Sequence, residues 1–358
     1  MKFLDFIYSN ETYACGTKRN TMKKTKAVAL YSGGLDSTLA VLVMQKQGIE
    51  VTAITFMNHF GCDISDKSSC SKDPFAASVK FGFKVKLSHL SDKFLEIVKN
   101  PKHGHGKNMN PCLDCRILML REAKVFMDMI GADFLITGEV VGQRPMSQRK
   151  DCFPMIDKAA DVKGLVVRPL CGKILPPTIA EEKGLIKREL MYDFNGRSRK
   201  SQMELAAELG LTEYPSPAGG CLLTEPNYSY KLKDLLEHNS DPGYKDINFL
   251  RLGRQFRFSP DCKIFVGRHK DENEAMKAIA DPDDIMMRVE GCGSPNVMIL
   301  GNVTDEAIEL AASMCARYSD AKNSPEVRVT VTKGDETYHL TVKPAENAVL
   351  DKYRIEKK

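Results

Sequence analysis

An apolar, strand-prone run from Ala27 to Tyr31 feeds directly into Ser32-Gly33-Gly34-Leu35-Asp36-Ser37, and an apolar helical pattern from Thr38 to Met44 follows. Strand, tight glycine turn and helix start, in that order, present backbone N–H groups at a helix N-terminus, the geometry that cradles an anionic phosphate. No lysine follows the glycines, so the stretch is not the G-x-x-x-x-G-K-[ST] loop of ordinary nucleoside triphosphatases. A chain built around such a turn needs a strand whose carboxyl end is open to a ligand.

The rest of the first half agrees. Residues 27–31, 50–56, 83–88, 133–137 and 165–170 read as short apolar strands, with helical patterns over 37–47, 74–81 and 113–130. Alternating strands and helices predict an α/β fold, a parallel sheet with helices on both faces and ligands at the carboxyl ends of its strands. From 172 to 220 the pattern is helical but punctuated: Pro176-Pro177 opens a helix, Asn195-Gly196 turns, and Tyr214 to Gly220 is a loop by composition. Asn239-Ser240-Asp241-Pro242-Gly243 is linker-like, and beyond it strands over 262–266, 297–300, 327–332 and 337–342 with helices over 271–280 and 304–317 suggest a small α+β domain. The expected division is an extension over 1–25, a phosphate-binding α/β domain over 26–175, a helical segment over 176–240 that completes its ligand site, and the small domain over 245–358. At 358 residues the chain suits two domains. From the clean opening of the first strand after Met22, residues 1–21 are expected to be an upstream extension or a misassigned start.

Composition narrows the class. No run of about twenty apolar residues is present and the N-terminus lacks a signal-peptide pattern, so a soluble, cytoplasmic protein without a membrane partner is expected. A net charge of +5 permits a nucleic-acid partner without demanding one. Eleven cysteines with no secretory signal favour catalytic or metal-binding thiols over disulfide staples.

Three cysteines stand out. In Asn110-Pro111-Cys112-Leu113-Asp114-Cys115-Arg116, Pro111 suits the first turn of the long helix, and Cys112 and Cys115 share one helix face at its N-terminus. The helix dipole there is expected to lower a thiol pKa. Cys221 follows the Gly219-Gly220 loop. Cys112, Cys115 and Cys221 can hold three irons of a [4Fe–4S] cluster with one iron open for sulfide. Alternatively, Cys115 and Cys221 alternate between persulfide and disulfide. His103 and His105, in Lys102-His103-Gly104-His105-Gly106, are either metal ligands or part of a loop beside the cysteine helix. Cys62 and Cys70 are too far apart for a tight metal knuckle, and Cys15, Cys152, Cys171, Cys262, Cys292 and Cys315 show no useful spacing.

Ser32-Gly33-Gly34-Leu35-Asp36-Ser37 resembles the pyrophosphate loop of the PP-loop ATP pyrophosphatases, which have an adenine nucleotide alpha hydrolase-like fold. Thr137-Gly138-Glu139 with Gly142-Gln143 and Ser147-Gln148 resembles the T-G-E-x-x-G-Q-x-x-S-Q segment of tRNA 4-thiouridine synthases, with three residues rather than two between Gln143 and Ser147. Val167-Arg168-Pro169-Leu170 and Lys173 are similar to that family too. Asn110-Pro111 with Cys115, and Gly220-Cys221, resemble the two catalytic cysteine contexts of tRNA 2-thiouridylases. Cys112 and Cys115 together resemble the cluster-binding segment of tRNA 2-thiocytidine synthetases. Over 250–300, Leu252-Gly253-Arg254, Phe258 to Asp261, Val266-Gly267-Arg268 and Glu272-Asn273 resemble the NFACT-R domain. Neither a THUMP-like domain before the loop nor a rhodanese-like domain after it is recognisable.

The resemblance implies an ATP-dependent tRNA sulfurtransferase that thiolates uridine through an adenylated base, splitting ATP to AMP and pyrophosphate. Ser32, Gly33, Gly34, Asp36 and Ser37 would hold the phosphates, with Asp36 near Mg²⁺, while Met57, Gly138 and Gln143 complete the nucleotide site. Cys115 and Cys221 would either deliver the sulfide, from a cysteine desulfurase or free sulfide, or bind the cluster that presents it. The alternative is a PP-loop enzyme adenylating a small molecule for sulfur or nitrogen insertion, and a third reading is an RNA-binding adaptor. Two basic groups are candidate RNA contacts: Lys183, Lys187, Arg188, Arg197, Arg199 and Lys200, and Arg251, Arg254, Arg257, Lys263, Arg268 and Lys270, the latter opposed by Asp261.

Overall fold

The structure, a computed structural model, describes residues 24–60, 75–215 and 221–356. Cys15, Cys62, Cys70 and the Gly219-Gly220 pair lie outside them, as does nearly all of the expected N-terminal extension.

Five parallel strands form the first sheet: β1 (Lys26–Leu30), β2 (Glu50–Met57), β3 (Lys84–His89), β4 (Phe134–Thr137) and β5 (Val166–Val167), in the order β3-β2-β1-β4-β5. Its helices are α1 (Leu35–Lys46), α2 (Phe75–Phe81), α3 (Ser91–Lys99), α4 (Cys112–Met129), α5 (Cys152–Ala159), α6 (Ile179–Glu182), α7 (Lys200–Glu208), α8 (Pro226–His238) and α9 (Tyr244–Phe249). Strand pleating sends alternate residues of β1 to opposite cores. Ala27, Ala29 and Tyr31 pack with α1 and with Leu205 and Ala206 of α7. Val28 and Leu30 face Ile117, Leu120 and Ala123 of α4, together with Tyr228, Leu232 and Leu235 of α8. Both faces are covered, which is why the strands read as continuous apolar runs rather than alternating ones.

The strand expected over 165–170 pairs with β4 only at Val166 and Val167. Beyond them the chain pairs elsewhere: Tyr192 and Phe194 donate their amides to the Pro169 and Leu170 carbonyls at 2.8 and 2.9 Å. The helix after Pro176-Pro177 starts two residues on, where Thr178 and Glu181 close a capping box.

The second sheet is antiparallel throughout: β6 (Arg254–Ser259), β7 (Cys262–Val266), β8 (Ile285–Val289), β9 (Val297–Gly301), β10 (Val327–Lys333) and β11 (Glu336–Val342), ordered β11-β10-β8-β9-β7-β6. With it come α10 (Lys270–Ile279), α11 (Asp305–Arg317) and α12 (Asn347–Tyr353). The alanine-rich stripe of α11, Ala307, Ala311, Ala312 and Ala316, lies on the sheet's inner face. The small α+β architecture is as expected, with β6 and β8 additional to the strands read from sequence. Among the described residues no helix is long and apolar enough to cross a membrane.

Candidate nucleotide and cysteine site

In the first sheet the strand order reverses between β1 and β4, and loops leaving the carboxyl ends of two such neighbours open a crevice for ligands. The loop after β1 is Ser32 to Gly34. Gly33 takes φ +71°, the left-handed region that glycine enters without strain, so the chain can reverse sharply into α1. Ser37 then closes the loop on itself: its Oγ donates to the Gly34 carbonyl at 3.0 Å and accepts from the Ser32 amide at 3.3 Å.

The loop after β4 packs tightly against the first. A Cβ at Gly138 would stand 2.5 Å from the Asp36 carbonyl oxygen and 2.6 Å from the Ser37 nitrogen. Only glycine allows that approach. Gln143 Nε2 donates to Asp36 Oδ2 at 3.0 Å, and Arg199 Nη2, just before α7, donates to the same oxygen at 3.0 Å. The other Asp36 oxygen, Oδ1, is buried and has no hydrogen-bond partner among the described residues. A buried carboxylate oxygen left open beside a phosphate cradle fits the donor chemistry of a hard divalent cation such as Mg²⁺. Met57 ends β2, half-buried, in register with His89 of β3.

Glu139 of the T-G-E segment is buried, its side chain only 1% exposed. It accepts from Arg116 Nε at 2.8 Å, from Arg168 Nε at 3.0 Å and from Thr137 Oγ1 at 3.0 Å. Arg168 in turn grips Asp157 with both Nη atoms, at 2.9 and 2.7 Å, and lies 4.2 Å from the Phe153 ring centre. Burial would raise the Glu139 carboxyl, yet the two guanidiniums hold it below the ordinary glutamate range. Gln148 is likewise buried, and its carbonyl accepts the Gly142 amide at 2.7 Å.

The cysteine segments converge on the same end of the sheet. Met109 N donates to the Leu223 carbonyl at 3.1 Å and Asn108 Nδ2 to the Thr224 carbonyl at 2.7 Å, stitching the approach to α4 onto the turn after Cys221. Cys221 Sγ reaches the Phe60 carbonyl, just beyond β2, at 3.5 Å. Cys115 and Cys221, both half-buried, pack against the same hydrophobic core. At Cys112 the expected lowering of the thiol pKa is overturned: burial pushes it up, against the pull of Arg144, of the Asn110 amide 2.9 Å away and of Arg116.

Among the described residues no three His, Cys, Asp or Glu side chains stand together closely enough to hold a metal ion. The His103 loop is pinned instead: His103 N and Nδ1 meet the two Asp114 oxygens at 2.9 and 2.8 Å, and His105 Nε2 lies 2.9 Å from the Val98 carbonyl.

The two basic groups are committed unevenly: the second is mostly paired within the protein, the first only at Arg188 and Arg199. Arg188 binds Glu181 and the Lys173 and Leu175 carbonyls, and Arg199 is on Asp36. Lys183, Lys187, Arg197 and Lys200 remain exposed. In the second group Arg257 and Lys263 both meet Asp234, at 2.7 and 3.2 Å, so the counter-charge is Asp234 rather than Asp261. Arg268 pairs with Glu272, Arg254 stacks 4.4 Å over Tyr318, and Arg251 donates to the His59 carbonyl at 2.6 Å.

The fold and the loop define a PP-loop-like parallel α/β domain followed by an antiparallel one. Residues 22–175 match the family described as thiamine biosynthesis protein (ThiI), and residues 253–354 match the NFACT protein RNA binding domain. The bifunctional protein NifU/MnmA of Rubrobacter xylanophilus is 31% identical over 176 residues, 44% of this chain and 36% of that protein. The tRNA-specific 2-thiouridylase MnmA of Pelotomaculum thermopropionicum is 22% identical over 347 residues, 89% of this chain and 90% of that protein. This chain thus spans about a third of the first relative and nearly all of the second. Among solved structures, the U34-tRNA thiolase NcsA of Methanococcus maripaludis with its [4Fe-4S] cluster aligns over 65% of this chain and 72% of that one, at 15% identity and a TM-score of 0.30.

Proposed function

We propose that this protein is an ATP-dependent tRNA sulfurtransferase that adenylates a uridine carbonyl oxygen and replaces it with sulfur. The observation that carries the reading is the convergence at one sheet edge. There the Ser32–Ser37 cradle, the open Asp36 oxygen and the two segments bearing Cys115 and Cys221 come together. The ThiI match over residues 22–175, which takes in the cradle and Cys115, and the thiouridylase relatives support it.

Ser32, Gly33, Gly34 and Ser37 would cradle the phosphates, and Asp36 Oδ1, with Gln143 behind the carboxylate, would hold Mg²⁺, which supplies charge neutralisation on the pyrophosphate. Met57 and Gly138 would line the nucleotide. The base oxygen attacks the α-phosphorus and pyrophosphate leaves. A persulfide on one of Cys115 and Cys221, charged by a cysteine desulfurase or another persulfide donor, then attacks the base carbon, and AMP departs. The second thiolate attacks the enzyme-bound sulfur, and the base leaves as a thiocarbonyl. A Cys115–Cys221 disulfide remains, and an external thiol reduces it. This cycle needs no metal cluster. The C-terminal sheet, matched to an RNA binding domain, would supply RNA contacts, with exposed Arg197 and Lys200 near the crevice.

Mass spectrometry of tRNA nucleosides from a strain lacking the protein tests the reading. A missing thiouridine, restored by the intact gene and not by an Asp36→Ala copy, is expected. An unchanged set of thiolated nucleosides would refute the assignment.

A further inference from the structure

The phosphate loop carries no cation of its own: Ser32-Gly33-Gly34-Leu35-Asp36-Ser37 lacks the lysine that balances phosphate charge in ordinary nucleotide loops. The neighbouring guanidiniums of Arg116 and Arg168 are committed to Glu139 and Asp157. Among the described residues, one further cation is recorded at the cradle. Arg199 comes from 163 residues along the chain to place Nη2 3.0 Å from Asp36 Oδ2. Its position is built rather than incidental. The preceding turn is clamped to the loop after β4 by the Gly196 amide on the Val141 carbonyl at 2.8 Å, and α7 packs through Leu205 and Ala206 into the core beside α1. The contact with Asp36 uses one of five N–H donors arranged as a planar fork, the shape that grips phosphate oxygens bidentately.

We propose that Arg199 is the phosphate-binding cation of this site, and that it and Asp36 exchange partners when magnesium nucleotide enters. The inference rests on the nucleotide reading above. Arg199 passes from the carboxylate to the β,γ-phosphate oxygens, while Asp36, relieved of its counter-charge, turns both oxygens to Mg²⁺. Neither half of the exchange is favourable alone. ATP without metal would leave Asp36 unpaired beside the phosphates, and metal without ATP must compete with a guanidinium for the carboxylate. Magnesium and ATP therefore bind cooperatively, and the segment before α7, rather than the loop itself, senses the polyphosphate.

Equilibrium binding to the full chain tests this, with Mg-ATP, AMP and Mn²⁺ alone (followed by electron paramagnetic resonance) as probes. Arg199→Gln should weaken Mg-ATP about 10- to 100-fold, the range for charge-assisted hydrogen bonds, and leave AMP within about threefold. The same variant should bind Mn²⁺ without nucleotide several-fold more tightly than the parent, because Asp36 has lost its internal partner. Arg199→Lys, which keeps the charge without the fork, should fall between for Mg-ATP. If Arg199→Gln keeps Mg-ATP affinity within twofold, or weakens Mn²⁺ binding, the exchange is wrong while the nucleotide site stands. If the parent protein itself binds no ATP, the reading of the loop falls and the exchange with it.

Discussion

Arg116, the residue after Cys115, places its Nε 2.8 Å from Oε1 of Glu139, the residue after Gly138. The same glycine presses on the Asp36 carbonyl, so one buried carboxylate ties the cysteine helix to the phosphate loop. Sulfur chemistry and nucleotide chemistry in one crevice require the two machineries to be held in fixed relation. A charge pair at 1% exposure on the acid side does that more rigidly than an exposed one.

Glu139→Gln should therefore destabilise the chain and uncouple the site. It leaves Arg168 and Arg116 facing a neutral amide, and breaking a buried pair costs about 3–5 kcal/mol. Because Glu139 titrates below the ordinary range in the folded chain, its contribution is complete above the unfolded-state value and is lost as pH falls through the folded one. Urea unfolding should show the largest difference between parent and variant at neutral pH, shrinking toward strongly acidic pH.

Gly138→Ala should remove nucleotide binding with little change in overall fold. The added methyl would meet backbone atoms of Asp36 and Ser37 at 2.5 and 2.6 Å, and backbone cannot swing aside as a side chain can. The loop must shift instead. Calorimetric titration with Mg-ATP should show affinity reduced at least about tenfold, a conservative figure for one lost charge-assisted contact.

What the sequence disclosed and what it hid divide along physical lines. The Ser32–Ser37 loop, both flanking elements and the parallel sheet were legible because glycine spacing and apolar periodicity are local. Cys112 and Cys115 were placed correctly at a helix start, but the sign of the Cys112 shift was not readable, since burial is a property of the assembled core. Arg199 read as one of several basic residues in a cluster, whereas its partner Asp36 lies far off in sequence. The same holds for Asp234, which neutralises Arg257 and Lys263 across a long separation. The strand at 165–170 was overextended because Pro169 and Leu170 find their hydrogen bonds with residues 192–194 rather than in the sheet.

Lys231 and Lys263 give the protein an alkaline signature. Burial pushes both ammonium groups down to about 8, although Asp234 pulls Lys263 the other way. The unfolded chain holds those protons more tightly, so stability should rise as pH increases from about 8 toward the ordinary lysine value near 10.4. Denaturant midpoints across that window should climb in the parent and climb less in Lys231→Met, which keeps the Asp234 pairs intact.

The cysteines separate the sulfur models. Cys115→Ala and Cys221→Ala should each abolish thiolation, with losses beyond a hundredfold, because a persulfide–disulfide cycle needs both thiols. Cys112→Ala should retain most activity, and anaerobically purified protein should be colourless and iron-free. Loss of iron and activity together in Cys112→Ala would instead establish a cluster held by all three.

The most direct measurement uses purified protein, unmodified tRNA, Mg-ATP and a persulfide donor, with AMP, pyrophosphate and thiolated nucleosides quantified in the same reaction. The account predicts one AMP and one pyrophosphate for each thiouridine formed, with all three products lost in Asp36→Ala. Formation of ADP, or AMP release without any thiolated nucleoside under these conditions, would contradict it.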